Sequence, residues 1–196
     1  MKLADPVLEK LLQKAYSAER AAAFAYIGHA NSLRDPAAKI AVKQIEEDEW
    51  RHRENVLGLM QRYGVPVSRR YEIRYYLIGR IISASCHVIG RFMPFFFAGK
   101  LESGNVCEYF VMLRRFHSLG IEEHDEMLYE MGMKEKEHEI YFLDQIRTSR
   151  LLPFFQRLFS WGAGTSANDV DLQRKRPVEE SADYCKGYKA PEKTAE

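Results

Sequence analysis

The chain has 196 residues, and its 29 Lys and Arg against 28 Asp and Glu give a net charge of +1. The length predicts one domain with a short appendix, and the near-neutral charge disfavours nucleic-acid binding through a broad basic surface. Cys86, Cys107 and Cys185 form no CxxC pair, which argues against a disulfide framework, a zinc ribbon and a rubredoxin-type iron site. We therefore interpret Cys86 and Cys107 as small buried apolar residues.

The N-terminal region carries two signals. Its first ten residues include acidic side chains and no long apolar run, so we expect no secretory leader or transit peptide, and a cytoplasmic location. Asp5-Pro6 and Asp35-Pro36 each place a side-chain acceptor before a proline at the first position of a helix. These starts predict helices over residues 6–31 and 36–63.

Three further helical patterns follow in chain order. The first is apolar and aromatic and covers residues 71–93, but Arg80 and Arg91 leave no uncharged stretch long enough to span a membrane. Pro94 opens a second pattern over 94–118, and a third covers 121–150 before a short apolar segment at 151–161. With no convincing strand pattern, the class is all-α, and short connections favour an antiparallel four-helix bundle with one extra apolar helix. We expect this bundle to span 1–161 and a disordered polar tail to span 162–196.

Two ExxH motifs suggest a metal site. Glu49 and His52 lie near the middle of the second helix, and Glu135 and His138 near the middle of the 121–150 helix. At this spacing both side chains share one helix face and can hold one metal ion. A carboxylate with an imidazole suits iron or manganese. Each motif taken alone is as well explained by a solvated helix face, and the KEKEHE run at 134–139 resembles a charged outer surface.

Two single glutamates complete the pattern. Glu19 lies mid-helix in an otherwise apolar context, and Glu102 lies in the 94–118 helix. Mid-helix positions of an antiparallel bundle meet at one height, where buried charges are costly unless paired or metal-bound. One Glu from each of two helices plus an ExxH from each of two others is the two-metal arrangement of ferritin-like bundles. Glu108 is an alternative to Glu102, about 120° away around the helix.

The order and separation of these residues resemble the demethoxyubiquinone hydroxylase family of di-iron proteins. The resemblance extends to Tyr26 and Gly28 after Glu19, to Met60 at the end of the second helix, and to the Leu-Leu-Pro-Phe-Phe segment that follows the fourth ligand helix. It covers about residues 6–161. The chain departs from the family around the third ligand helix, where it reads LESGNVCEYF instead of a second Glu and a pair of histidines.

The resemblance implies two ferrous ions that use dioxygen to hydroxylate a quinone-type ring, and the donor set itself leaves manganese open as a replacement for iron. It implies ligands of two kinds, four glutamates of which at least two bridge the metals and two terminal histidines: Glu19, Glu49, Glu102, Glu135, His52 and His138. Tyr26 would act beside the ligands, although a plain core tyrosine is an equal alternative. The departure near Glu102 puts the substrate in question more than the metals.

The partners expected from this assignment are a lipid-soluble quinone, dioxygen, an electron donor and a membrane surface, and the sequence leaves room for a homo-oligomer. In the 71–93 pattern, Arg80, His87 and Arg91 are predicted to form a basic stripe opposite an apolar face, which suits a helix at the inner face of a membrane. A core helix with two arginines reaching solvent is the alternative. Two further functional classes are a ferroxidase or peroxidase without an organic substrate, and a lipid-associated protein with structural carboxylates.

Overall fold

The computed structural model describes residues 3–162 and 177–185, and its regular elements are all helices, as the sequence predicts. Seven helices occur in this part of the chain. In order they are α1 Pro6–Ser32, α2 Pro36–Arg62, α3 Arg69–Ser85, α4 Phe92–Ser118, α5 Asp125–Asp144, α6 Leu152–Phe159 and α7 Pro177–Tyr184. The chain divides into two compact units, Met1–Pro94 and Phe95–Glu196, and the boundary falls in the first turn of α4.

The predicted starts of α1 and α2 are confirmed. The Asp5 carboxylate accepts hydrogen bonds from the backbone N–H groups of Val7, at 2.8 Å, and Leu8, at 3.2 Å. The Asp35 carboxylate accepts one from the backbone N–H of Ala37 at 3.2 Å. These caps satisfy N–H groups that have no partner within the helix.

In the first unit, α1 packs against both α2 and α3. The contact between α1 and α3 depends on glycine, because a Cβ at Gly79 would lie 2.7 Å from the Ala21 carbonyl oxygen and one at Gly28 would overlap the Ser83 backbone. An ion network adds to this packing. Glu72 of α3 lies 2.8 Å from the Arg53 guanidinium of α2 and 3.0 Å from that of Arg20 of α1.

The predicted helix over 71–93 is wrong at its C-terminal end. The helix stops at Ser85, and residues 86–91 form a turn in which Gly90 has a φ of +77°. Pro94 lies in the first turn of α4, where a proline is tolerated, and Gly90 supplies the left-handed backbone of the turn before it. Arg80 and Arg91 therefore lie on different elements, and the predicted Arg80–His87–Arg91 stripe does not form.

In the second unit, α4 and α5 approach closely at Gly132, where a Cβ would lie 2.5 Å from the Phe110 ring. Phe110 also stacks on Tyr129, with ring centroids 5.3 Å apart. Beyond α6, Trp161 covers Gly99 of α4, where a Cβ would lie 2.6 Å from the indole ring. Its indole N–H donates to Glu139 of α5 at 2.8 Å. Trp161 thus links the segment after α6 to both α4 and α5.

The structure departs from the predicted disordered tail at 177–185. There α7 buries Ser181, whose hydroxyl accepts from Arg114 at 3.2 Å, and Glu180 accepts from the Tyr129 hydroxyl at 2.6 Å. Cys185 forms a disulfide with Cys107 of α4, so the expectation of unpaired cysteines is wrong for this pair, while Cys86 is a buried free thiol as expected. The remaining tail residues, 163–176 and 186–196, lie outside the described residues.

The eight-residue α7 is too short to be stable alone, so its position depends on these side-chain contacts and on the disulfide. Replacing Cys185 by Ala should lower the free energy of unfolding by about 2–4 kcal/mol and should make 177–185 more sensitive to protease. Denaturant unfolding and limited proteolysis measure the two effects. Cys86→Ala is the matched control because it leaves the disulfide intact. Equal stability and protease resistance of Cys185→Ala and wild type would contradict this role.

Candidate metal centre

The first unit holds three of the predicted ligands in one group. Glu19 is on α1, and Glu49 and His52 are on α2, one helical turn apart. Their candidate ligand atoms all lie within 4.8 Å of one another. The exposed fractions of the three side chains are 3%, 0% and 5%. Two carboxylates and an imidazole in a dry interior form a group that could hold a metal ion.

The second unit holds the other three ligands in a matching group. Glu102 is on α4, and Glu135 and His138 are on α5, again one turn apart. Their candidate ligand atoms lie within 4.8 Å of one another, and all three side chains are buried. His138 Nδ1 is 3.4 Å from Glu135 Oε2. The ExxH spacing therefore has the same consequence in both units, because positions i and i+3 of a helix project to one side.

Burial is the main electrostatic feature of the second group. It raises the pKa of Glu102 well above its ordinary value, and the charge of the neighbouring Glu135 raises it further. A hydrogen bond from the Asn105 amide to Glu102 Oε2, at 2.9 Å, acts in the opposite direction. While Glu135 is ionised, no donor among the described residues reaches the buried Glu102 Oε1. A divalent cation would offset the repulsion and supply the missing partner, so the residues fit a metal ion.

The donor set limits the identity of the ion without fixing it. Each group offers carboxylate oxygen and imidazole nitrogen and no sulfur ligand. Such a set suits ferrous iron and manganese, and zinc also accepts it. The buried groups could hold a metal ion, and the choice of iron belongs to the proposal below.

The two candidate metal ligands of α4, Glu102 and Glu108, lie in different environments. Glu102 is 1% exposed and belongs to the second group, whereas Glu108 is half-buried and belongs to neither group. Tyr26 is buried, with 4% of its surface exposed. It lies two turns after Glu19 on α1, which places both residues on one side of that helix.

The interpretation of 134–139 as an outer face is wrong for four of its six residues, because the ligand candidates Glu135 and His138 and also Lys136 and Glu139 are buried. Lys136 and Glu139 are 3% and 2% exposed, and the Lys136 ammonium donates to Glu139 at 2.8 Å. Burial opposes the charge of Lys136, but the hydrogen bond and the charge of Glu139 outweigh it and raise the lysine's pKa. Lys134 and Glu137 do lie at the surface. The i, i+3 spacing of Lys136 and Glu139 indicates that the two side chains can form an ion pair, but spacing alone does not distinguish a buried pair from an exposed one.

The surface of α3 is a second feature of interest, because it exposes large apolar side chains. Ile73, Leu77 and Ile81 lie one turn apart along α3 and are 53%, 53% and 68% exposed. The exposed arginines of the same helix are Arg69, Arg70, Arg74 and Arg80. Among the described residues, no helix has the length and apolar character needed to cross a membrane. The α3 surface combines an apolar row with cationic side chains, the composition of a helix that lies in a membrane interface.

Comparison with known proteins gives no assignment of family or fold. No model of a protein family matches the sequence, and no curated protein and no solved structure matches the chain significantly.

Proposed function

We propose that this protein is a di-iron monooxygenase that hydroxylates a quinone-type aromatic of the demethoxyubiquinol kind, as in ubiquinone biosynthesis. The observation that carries the proposal is the pair of matching buried groups, each with two glutamates and one histidine within 4.8 Å. The resemblance of the sequence to the demethoxyubiquinone hydroxylase family supports the same assignment. In this proposal α1, α2, α4 and α5 are the four helices of a ferritin-like bundle, and α3 is the extra interfacial helix.

Each group would hold one of the two ions. Glu19, Glu49 and His52 would bind the first, and the second would have the ligands Glu102, Glu135 and His138. When bound, the ferrous ions would supply the electrons and the coordination positions with which dioxygen is activated. The protein residues would keep water away from the metals, since all six ligands are buried, and Tyr26 would offer a hydroxyl on the Glu19 side of α1.

A ferroxidase or peroxidase without an organic substrate is the alternative function, because the same ligands serve it. The exposed apolar row of α3 favours the monooxygenase, since a lipid-soluble quinone must be taken from a membrane and an iron ion need not be. A lipid-associated protein with structural carboxylates is the least favoured class. Burying the ligand glutamates without a cation would cost several kcal/mol for each ionised group.

The first test is metal content. Protein supplied with ferrous iron under anaerobic conditions should hold about two irons per chain, as two-metal sites do. Glu49→Ala and His138→Ala should each remove most of the iron, because each removes a buried ligand. Glu137→Ala is the matched control on α5, since its carboxylate is at the surface. Elemental analysis gives the result, and a full complement of iron in the Glu49→Ala, His138→Ala double variant would overturn the ligand assignment.

The second test separates the enzyme classes. A reduced quinone precursor with an isoprenoid tail should yield hydroxylated product only with dioxygen and ferrous protein. Glu102→Ala should abolish turnover with the fold intact, and Glu108→Ala should have a milder effect because Glu108 is outside both groups. Product is measured by chromatography with mass spectrometry. Rapid iron oxidation without organic product across several quinols would instead assign the protein to the ferroxidase class.

The third test concerns peripheral association with the inner face of the membrane. Wild-type protein should float with anionic liposomes, and rising salt should weaken binding because the arginines of α3 attract the lipid charge. Leu77→Glu combined with Ile81→Glu should reduce flotation strongly. Ile40→Glu is the matched control, since Ile40 is 69% exposed on α2 and does not belong to the α3 row. Flotation of the double variant at the wild-type level would remove α3 from the membrane contact.

A further inference from the structure

The two carboxylate oxygens of Glu102 have different surroundings. Oε2 accepts a hydrogen bond from the side-chain amide of Asn105 at 2.9 Å. Oε1 is buried and, while Glu135 is ionised, has no donor among the residues that the structure describes. The carboxylate is therefore held at one oxygen, and the other is left with its lone pairs available.

Asn105 is well placed to control this carboxylate. It follows Glu102 by three residues on α4, so both side chains lie on one face of the helix. Asn105 is half-buried, and asparagine is less favourable than alanine in a helix interior. Its side chain thus serves a contact rather than the stability of an isolated helix.

The chemistry of the amide also matters. An amide carries no charge, so it orients a carboxylate without neutralising it. A lysine or arginine in the same place would take over the counter-charge that a metal ion otherwise supplies. Because the donor is neutral, the Glu102 carboxylate can keep its negative charge for a metal ion while its Oε2 is held in place.

We propose that Asn105 is a positioning residue for the metal site. Its amide holds Glu102 by Oε2, so that Oε1 is available to an ion bound by Glu135 and His138. This inference rests on the proposed two-metal function. It assigns a role to the stretch where the sequence departs from the demethoxyubiquinone hydroxylase pattern, because Asn105 lies in that stretch and its side chain contacts the candidate ligand Glu102.

The test is an anaerobic titration of the full-length protein with ferrous iron, in which calorimetry measures the affinity of each equivalent. Wild type should bind two equivalents. Asn105→Ala should weaken one equivalent by about 10–100-fold, the usual effect of losing a group that orients a metal ligand, and should leave the other unchanged. Asn105→Gln, which keeps the amide donor, should recover part of the loss. Ser103→Ala is the matched control, because the Ser103 hydroxyl donates to the Lys100 carbonyl oxygen and not to a ligand.

The outcomes separate the two proposals. If Asn105→Ala and Asn105→Gln both bind the two equivalents of iron with the wild-type affinities, the positioning role is overturned and the metal site is not. Equal weakening of both equivalents, together with a lower melting temperature of the metal-free protein, would assign Asn105 a merely structural role. Wild-type protein that binds no iron would overturn the two-metal function itself, and the role of Asn105 with it.

Discussion

The cost of placing ionisable groups in a dry interior is the constraint on which the candidate site depends. Each unit buries two glutamates and a histidine in one group. In the second group burial and the neighbouring carboxylate both raise the pKa of Glu102, so the protein alone does not favour the ionised form. A bound cation reverses this balance, because it attracts both carboxylates and accepts their lone pairs. The proposed metal function follows from this electrostatic argument.

Packing around α5 holds the second group in place. Gly132 lets α4 and α5 approach closely, and Phe110 fills the space beside it. On another side of α5, Lys136 and Glu139 form a buried ion pair, and Glu139 also accepts from the Trp161 indole. Each ligand of α5 is next in sequence to a member of this ion pair, Glu135 to Lys136 and His138 to Glu139. Contacts that hold the ion pair therefore also fix the rotation of α5 about its axis, and with it the direction in which the ligands project. The covalent link between Cys107 and Cys185 adds α7 to the same unit.

Features determined by short-range geometry could be predicted from the sequence. The Asp-Pro starts of α1 and α2 depend on contacts two or three residues away, and the ExxH pairs depend on one helical turn. The sequence does not show where α3 ends, because its apolar pattern continues through the turn at Gly90. The disulfide was missed because its cysteines are 78 residues apart, and the order of α7 depends on that link. The sequence does not show the burial of Lys136, because this residue stands in the charged run 134–139, where charge alone does not separate it from Lys134 and Glu137 at the surface.

Anomalous X-ray diffraction at the iron edge, from crystals of the iron-loaded protein, tests the central claim most directly. The account predicts two anomalous peaks per chain, one coordinated by Glu19, Glu49 and His52 and the other by Glu102, Glu135 and His138. Peaks bound by other residues, or no peak near the buried glutamates, would contradict it.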